Sequence, residues 1–329
     1  MGKAIFNYLS KNQFVAGILF LLILFLLFTL KEILLVIFVA YIIVAALLPA
    51  VGFLRKRRVP NTISVVLIFF TTLLLFGAII APLVPFFSSQ IQQLFKSFPQ
   101  YLNQAASVFG IDLSIKEVTQ LISPQQLGQN AFALAGGVVG GFVAMLTAIA
   151  ISFYLLLDYD NIKNNIAGLF PKKNYQKITE IIEEVNKKLG AWLQGQMLLS
   201  VSIGSLTWLV LAIIGMPFAL PLAVIAGMFE IVPSIGPIIS AIPAIIVALT
   251  ISPNLAIIVV FSYILIQFAE NHLLVPRIMQ RAVGLNPVVV IVGVIVGSTL
   301  LGIPGALLSV PFISLVTLII KDIQQYFEE

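Results

Sequence analysis

The sequence predicts an all-α, polytopic membrane protein with about six full spans and two helical hairpins broken by Pro and Gly. Three observations carry this. Of 329 residues, 60% are hydrophobic and 9% charged, with a mean hydropathy of +1.12. A soluble domain carries about 25% charged residues, so this chain cannot clothe a water-facing surface. Several apolar runs reach or approach the ~20 residues that cross the ~30 Å hydrocarbon core. Two further apolar regions, 217–251 and 286–320, are punctuated by Pro and Gly, as a pair of short helices joined by a break would be.

In order, the N-terminus is short and carries Lys3 and Lys11. The apolar run after it outlasts a signal-peptide core and meets no small-residue cleavage site, so it reads as a retained first span. Membrane helices are predicted near 13–30, 33–51, 62–86, 131–157, 195–215 and 254–271. The chain divides into N-terminal membrane helices (1–86), an outer amphipathic segment (87–130), a membrane helix (131–157), a cytoplasmic amphipathic segment (158–194) and a core (195–329) that holds both hairpins.

Orientation follows from the cations. With the N-terminus inside, 15 of the 18 Lys and Arg fall on the cytoplasmic side, leaving Lys31, Lys96 and Lys116 outside. The positive-inside rule selects this topology, with both termini cytoplasmic if each broken region is crossed an even number of times. The net charge of +5 is thereby a loop bias, and no nucleic-acid partner is expected. The charges leave open whether each hairpin crosses twice or re-enters.

Two stretches are amphipathic. Ile91, Leu94, Phe95, Phe98 and Leu102 share one helix face, and Ile111, Ile115, Val118, Leu121 and Ile122 repeat the spacing. On the inner side Ile178, Ile181, Ile182, Val185, Leu189 and Trp192 form a stripe opposite Glu180, Glu183, Glu184, Lys187 and Lys188. That helix rests at the headgroups or packs on protein. Small-residue spacings at Gly136/Gly140, Gly137/Gly141 and Gly293/Gly297 read as tight helix packing.

The stretch FEIVPSIGP poses the functional question. Glu230 is the one ionisable residue in PLAVIAGMFEIVPSIGPIISAIPAIIVAL, and Pro233, Gly236 and Pro237 follow it. About 12 residues into a helix that starts near Phe218 places it roughly 18 Å deep. A lipid-facing carboxylate there is expensive, so Glu230 faces a cavity or a partner, or is protonated. It exchanges a proton or binds a cation, or it is tied to amides or an arginine to fix the fold. The break removes amide donors at its prolines and offers free carbonyls, which survive only where protein, water or solute satisfies them. The hairpins also resemble each other: Pro221 to Gly227 and Pro287 to Gly293 both read Pro-x5-Gly, and each is followed by a Gly/Pro break and a Ser close before a Pro. Paired, interrupted hydrophobic segments point to a transporter's binding site. Gln194, Gln196, Ser200 and Ser240 are candidate polar lining.

A second cluster, QFAENHLLVPRIMQ, lies at the inner end of a span. Gln267, Glu270, Asn271, Arg277, Asn286 and Pro287 are candidate gate residues. Glu270 and Arg277 are expected to pair across the turn near Pro276, as an inner gate or as a loop lock. His272 reads as an interfacial residue. One histidine and no cysteine argue against a zinc hydrolase, and no HExxH, GxSxG or P-loop occurs. No enzyme activity, cofactor or metal is expected.

Taken together, LGAWLQGQ (189–196), IGMPFALPLAVIAGMFEIVPSIGP (214–237), ENHLLVPRIMQRAVGLNP (270–287) and LLGIPGALLSVP (300–311) resemble the autoinducer-2 exporter family, also called AI-2E or PerM-like. The resemblance covers nearly the whole chain. It implies a polytopic inner-membrane transporter, with export of the quorum-sensing signal autoinducer-2 assigned to some members and sodium/proton antiport to others. It also implies a homo-oligomer, with a pentameric ring as the family-level expectation. By motif, Glu230, Pro233, Gly236, Pro237, Glu270, Asn271, Pro276, Arg277 and Pro287 carry over. Asn286 departs from the His that relatives often show, which puts any proton role there in doubt. The expected function is therefore a secondary exporter of a small polar organic molecule, autoinducer-2-like and driven by protons, with Glu230 titrating. The alternative is a Na⁺(Li⁺)/H⁺ antiporter, which a single deep carboxylate suits less well than an acidic pair. An alternative of another class is a membrane scaffold that moves nothing.

Overall fold

A single long helix organises the molecule. The computed structural model describes residues 13–75, 77–78, 100–101, 104, 107, 124–232, 236–279 and 286–328. The amphipathic helices predicted over 87–122, isolated positions apart, and Pro233 lie outside this set. The described elements are α1 (Gln13–Thr29), α2 (Lys31–Lys56), α3 (61–75), α4 (Pro124–Leu157), α5 (Tyr159–Gly168), α6 (Tyr175–Ile213), α7 (Ala219–Phe229), α8 (Gly236–Ile251), α9 (Pro253–Ala269), a π-helical turn (Glu270–Leu274), α10 (Val275–Met279) and α11 (Pro287–Glu328). Among the described residues there is no strand. Helix α6 packs against α2, α5, α7, α9, α10 and α11. Glycines along it permit this: a Cβ at Gly190 would lie 2.3 Å from the Ala45 carbonyl of α2, and one at Gly195 2.9 Å from Met279 Sδ beside α10.

Two predicted elements merge in α6. The amphipathic segment ending at 194 and the span beginning at 195 are one helix of 39 residues. Its apolar stripe is not laid on headgroups. Val185, Leu189 and Trp192 are buried together with Ile42, Ala45, Met279, Val310 and Leu318, so the stripe packs on protein. At its inner end Asn186 donates to the Tyr159 hydroxyl (2.5 Å). Burial, and then the charges of Glu183 and Asp160, push that phenol up to about 12, so it stays neutral and pins α5 to α6.

The count of six full spans is not confirmed among the described residues. Four described helices are long and apolar enough to cross a bilayer, or five if the pair Val143–Leu157 and Tyr159–Gly168, bent by 74°, is one span. Helices α7 and α8 are apolar but too short, at 11 and 16 residues. One of the four long helices is itself folded. A straight helix would hold residues 297 and 305 about 12 Å apart, yet a Cβ at Gly297 would lie 2.3 Å from the Gly305 carbonyl. A Cβ at Gly293 would likewise strike Ile313. The backbone therefore reverses at Gly302, whose φ of 63° and ψ of −146° suit only glycine. The region 286–320 is a hairpin whose arms meet at Gly293, Gly297 and Gly305. By contrast, nothing among the described residues stands within 4 Å of a Cβ at Gly140 or Gly141.

The first hairpin is α7 and α8. Helix α6 ends in a Schellman arrangement: Met216 N–H donates to the Leu211 carbonyl (2.9 Å), with Gly215 at a φ of 77°. After the linking residues 214–218 α7 begins, packed back along α6, and α8 then packs on both α7 and α9.

Candidate functional site

The break between α7 and α8 is built by contact rather than by looseness. Val232 N–H donates to the Phe229 carbonyl (2.9 Å) and Gly236 N–H to the Val232 carbonyl (3.0 Å). A Cβ at Gly236 would stand 1.9 Å from the Phe229 oxygen, so only glycine allows the start of α8 to touch the end of α7. Pro237 sits in the first turn of α8, where its missing N–H would have no helical partner anyway. It lies at the start of a helix. The Ser240 hydroxyl, fully buried, donates to the Pro237 carbonyl (3.0 Å) and is engaged within its own helix.

Glu230 caps the C-terminus of α7 and is 2% exposed. Its backbone carbonyl accepts from Gln196 Nε2 of α6 at 2.8 Å. Gln196 is thus brought to the site as expected, but as a strut between α6 and the break. Gln194 points elsewhere and donates to the Ala46 carbonyl of α2 (2.8 Å). Removing the Gln196 carboxamide would leave a buried carbonyl unpaired, which costs about 1–3 kcal/mol. Gln196→Leu should therefore lower the melting temperature measurably and blunt any activity that needs the break.

The partner of Glu230 is Glu270, itself 4% exposed. Their side chains meet within hydrogen-bonding range. Glu270 opens the π-helical turn that follows α9, and Gln267 Nε2 donates to its Oε2 at 3.1 Å. The wider π turn, a feature frequent at functional sites, turns this carboxyl into the packed interior. The expected Glu270–Arg277 pair is corrected by the structure: Arg277 is exposed, and the two form no ion pair among the described residues. Glu270 faces Glu230, while Arg277 lies beyond the π turn on α10. Sequence reasoning placed Glu270 at a gate and missed this pairing. The available signal was the Gln267/Glu270 spacing of three, which puts an amide beside a carboxyl on one face of α9.

The remaining gate candidates do not converge here. Asn271 and Asn286 are exposed, as Arg277 is. Asn286 acts locally instead. Its Oδ1 accepts from Val288 N–H (2.9 Å), capping α11 with Pro287 at the first helical position. Asn286→Ala should cost about 1 kcal/mol of stability, read as a lower melting temperature, and leave the transport rate of folded protein unchanged.

Chemically, two neighbouring carboxyls, both withdrawn from solvent and neither ion-paired among the described residues, have the donor set to share a proton or a cation. They cannot both be charged without a counter-ion. Oε2 of Glu230 has no hydrogen-bond partner while both are ionised; a proton held between them supplies one. No group of three or more His, Cys, Asp or Glu suited to a metal occurs among the described residues.

Residues 16–325 match the model of the AI-2E family transporters. The chain belongs to this family. Among relatives, it is 27% identical over 292 residues to YrrI of Bacillus subtilis (strain 168), whose name offers transport as a role still to be established; the match covers 84% of this chain and 81% of YrrI. It is 26% identical over 307 residues to the AI-2 transport protein TqsA of Escherichia coli (strain K12), covering 88% of this chain and 85% of TqsA. AI-2E membership together with the apolar helices makes this a multi-pass membrane protein of a transporter family.

Proposed function

We propose that this AI-2E protein is a secondary transporter of the plasma membrane whose coupling site is the Glu230–Glu270 pair. The observation that carries the reading is the contact of two buried carboxyls at the end of a broken helix. Such a pair takes up a proton or a monovalent cation and must release it before both groups can be re-exposed. The cargo is a small polar organic solute, by analogy with the AI-2 transport protein TqsA, and outward movement follows the resemblance to the autoinducer-2 exporters. The cation distribution supports cytoplasmic termini. In that frame α7 and α8 descend from the outer side to Glu230. The α11 hairpin rises from the inner side to its tip, where Lys31 Nζ reaches the Leu300 carbonyl (3.2 Å). Two interrupted hairpins entering from opposite faces are the arrangement of inverted-repeat transporters.

A specific observation also favours the Na⁺(Li⁺)/H⁺ antiport reading. A single carboxylate suits it less well than an acidic pair, and Glu270 completes the pair. Transport in vesicles distinguishes the two readings. Protein is reconstituted with a pH gradient and internal pH is followed while Na⁺, Li⁺ or autoinducer-2 is added. Proton movement on cation addition supports antiport, and movement with the organic signal alone supports export. If folded protein responds to neither, or if Glu230→Gln responds as the wild type does, the coupling reading fails.

A further inference from the structure

The acidic pair lies far from the outer ends of the helices that frame it. Gln196, which holds the Glu230 carbonyl, stands 17 residues before the end of α6 at Ile213, and Glu270 stands 17 residues after the start of α9 at Pro253. Each count corresponds to about 26 Å along its helix. Exchange between the pair and the outer side therefore needs a polar route of that length. The interior it must cross is packed with Leu211, Leu222, Val247 and Val259, which offer a proton nothing.

Two buried side chains interrupt that interior. Thr207 of α6 is 1% exposed and Tyr263 of α9 is 9% exposed. Thr207 Oγ1 and the Tyr263 hydroxyl have no hydrogen-bond partner among the described residues. Other hydroxyls on these helices are satisfied by the carbonyl four residues back: Ser202 donates to Leu198 (2.7 Å) and Ser262 to Ile258 (2.8 Å). A buried hydroxyl left unpaired costs stability, and Val or Phe would fill the same volume without that cost. Packing gives no reason for either hydroxyl.

Their placement gives one. Thr207 is 11 residues from Gln196 and Tyr263 is 7 from Glu270; at 3.6 residues per turn each returns to within about 20° of the same helix face. Those faces meet, because Leu211, one turn beyond Thr207, is buried in one cluster with Val259 and Tyr263. From the outer ends, Thr207 lies about 9 Å down α6, and Tyr263, Gln267 and Glu270 lie about 15, 21 and 26 Å down α9. Successive levels are about 6 Å apart, the reach of two hydrogen bonds through one water. Among the described residues Glu230 and Glu270 are the only buried charged side chains, so the row ends on the pair and no other charge stands in it.

We infer that Thr207 and Tyr263 relay protons between the outer side and the Glu230–Glu270 pair. The inference rests on the coupling reading and supplies the outer leg of its proton route. At each hydroxyl one proton leaves towards the pair as another arrives from the outer side. Only O–H bonds break and form, and both side chains stay neutral. Release to the outside runs the same steps in reverse.

The test is Tyr263→Phe, alone and with Thr207→Val, in vesicles holding a pH gradient. Internal pH is followed while Na⁺, Li⁺ or autoinducer-2 is added, with Glu230→Gln run beside them. Each substitution removes an unpaired buried hydroxyl, so the melting temperature in detergent should rise or stay unchanged. Proton movement should nevertheless slow at least about tenfold, as for loss of a positioned proton-transfer group, with the half-saturating concentration of the added solute unchanged. Ser262→Ala is the control, since that hydroxyl serves its own helix, and it should keep the wild-type rate. A wild-type rate in Tyr263→Phe beside a silent Glu230→Gln overturns the inference and leaves the coupling reading standing. A lowered melting temperature in Tyr263→Phe, or an equal loss in Ser262→Ala, overturns it as well. So does a raised half-saturating concentration at an unchanged maximal rate, because the hydroxyl would then bind solute. If Glu230→Gln moves protons as the wild type does, the coupling reading falls and the relay falls with it.

Discussion

Glu270→Gln should abolish gradient-driven transport as completely as Glu230→Gln, and the double variant should be no worse than either alone. The reason is contact. Residues that act as one unit give strongly non-additive losses, whereas independent contributors multiply. If the two carboxyls share one proton or cation, removing either ends the exchange and nothing remains for the second substitution to remove. Gln keeps the volume and can still hydrogen-bond to Gln267 or to its partner, so folding should survive; the melting temperature in detergent checks this. The decisive comparison is the coupling energy of the cycle. An effect of Glu270→Gln below about threefold, beside a total loss for Glu230→Gln, would leave Glu270 a structural neighbour. Losses that simply multiply would mean that the two groups act at separate steps.

That Glu270 belongs in this pair was only half legible. Glu230 announces itself by isolation, as the one charge in a long apolar run. Glu270 sits among Gln267, Asn271, His272 and Arg277, where a charge needs no special explanation. Its inward direction comes from the π turn at Glu270–Leu274. A one-residue widening leaves no trace in hydrophobic periodicity, and a straight α-helix would have turned the carboxyl elsewhere. The hairpins were more legible because Pro and Gly punctuate both. Even so, the sequence assigned Pro237 to a break where it begins a helix, and assigned Ser240 to a lining where its hydroxyl serves its own turn. The merger of the inner amphipathic segment with the following span was hidden for a different reason. Charges on the solvent side of α6 stop where the span begins, yet no proline marks a boundary between them and the backbone has no cause to bend.

Gly236→Ala should be the most damaging single methyl in the chain's first hairpin. The added Cβ would stand 1.9 Å from the Phe229 oxygen and 2.5 Å from its carbonyl carbon. Those are backbone atoms, which cannot rotate aside as a side-chain tip does. The end of α7 and the start of α8 must therefore separate. Separation loosens the bond from Gly236 N–H to the Val232 carbonyl and shifts Glu230, which sits between that turn and the Gln196 strut. Overpacking of this kind costs about 1–3 kcal/mol, and more where the backbone must move. A fall in melting temperature is expected, together with loss of coupling in whatever protein still folds. Gly52→Ala is the control, since nothing among the described residues lies within 4 Å of a Cβ there and the position is inside α2; alanine in a helix interior should be neutral or slightly stabilising. If Gly236→Ala melts and transports like Gly52→Ala, the contact between α7 and α8 does not hold the site together, and the strut from Gln196 must position Glu230 by itself.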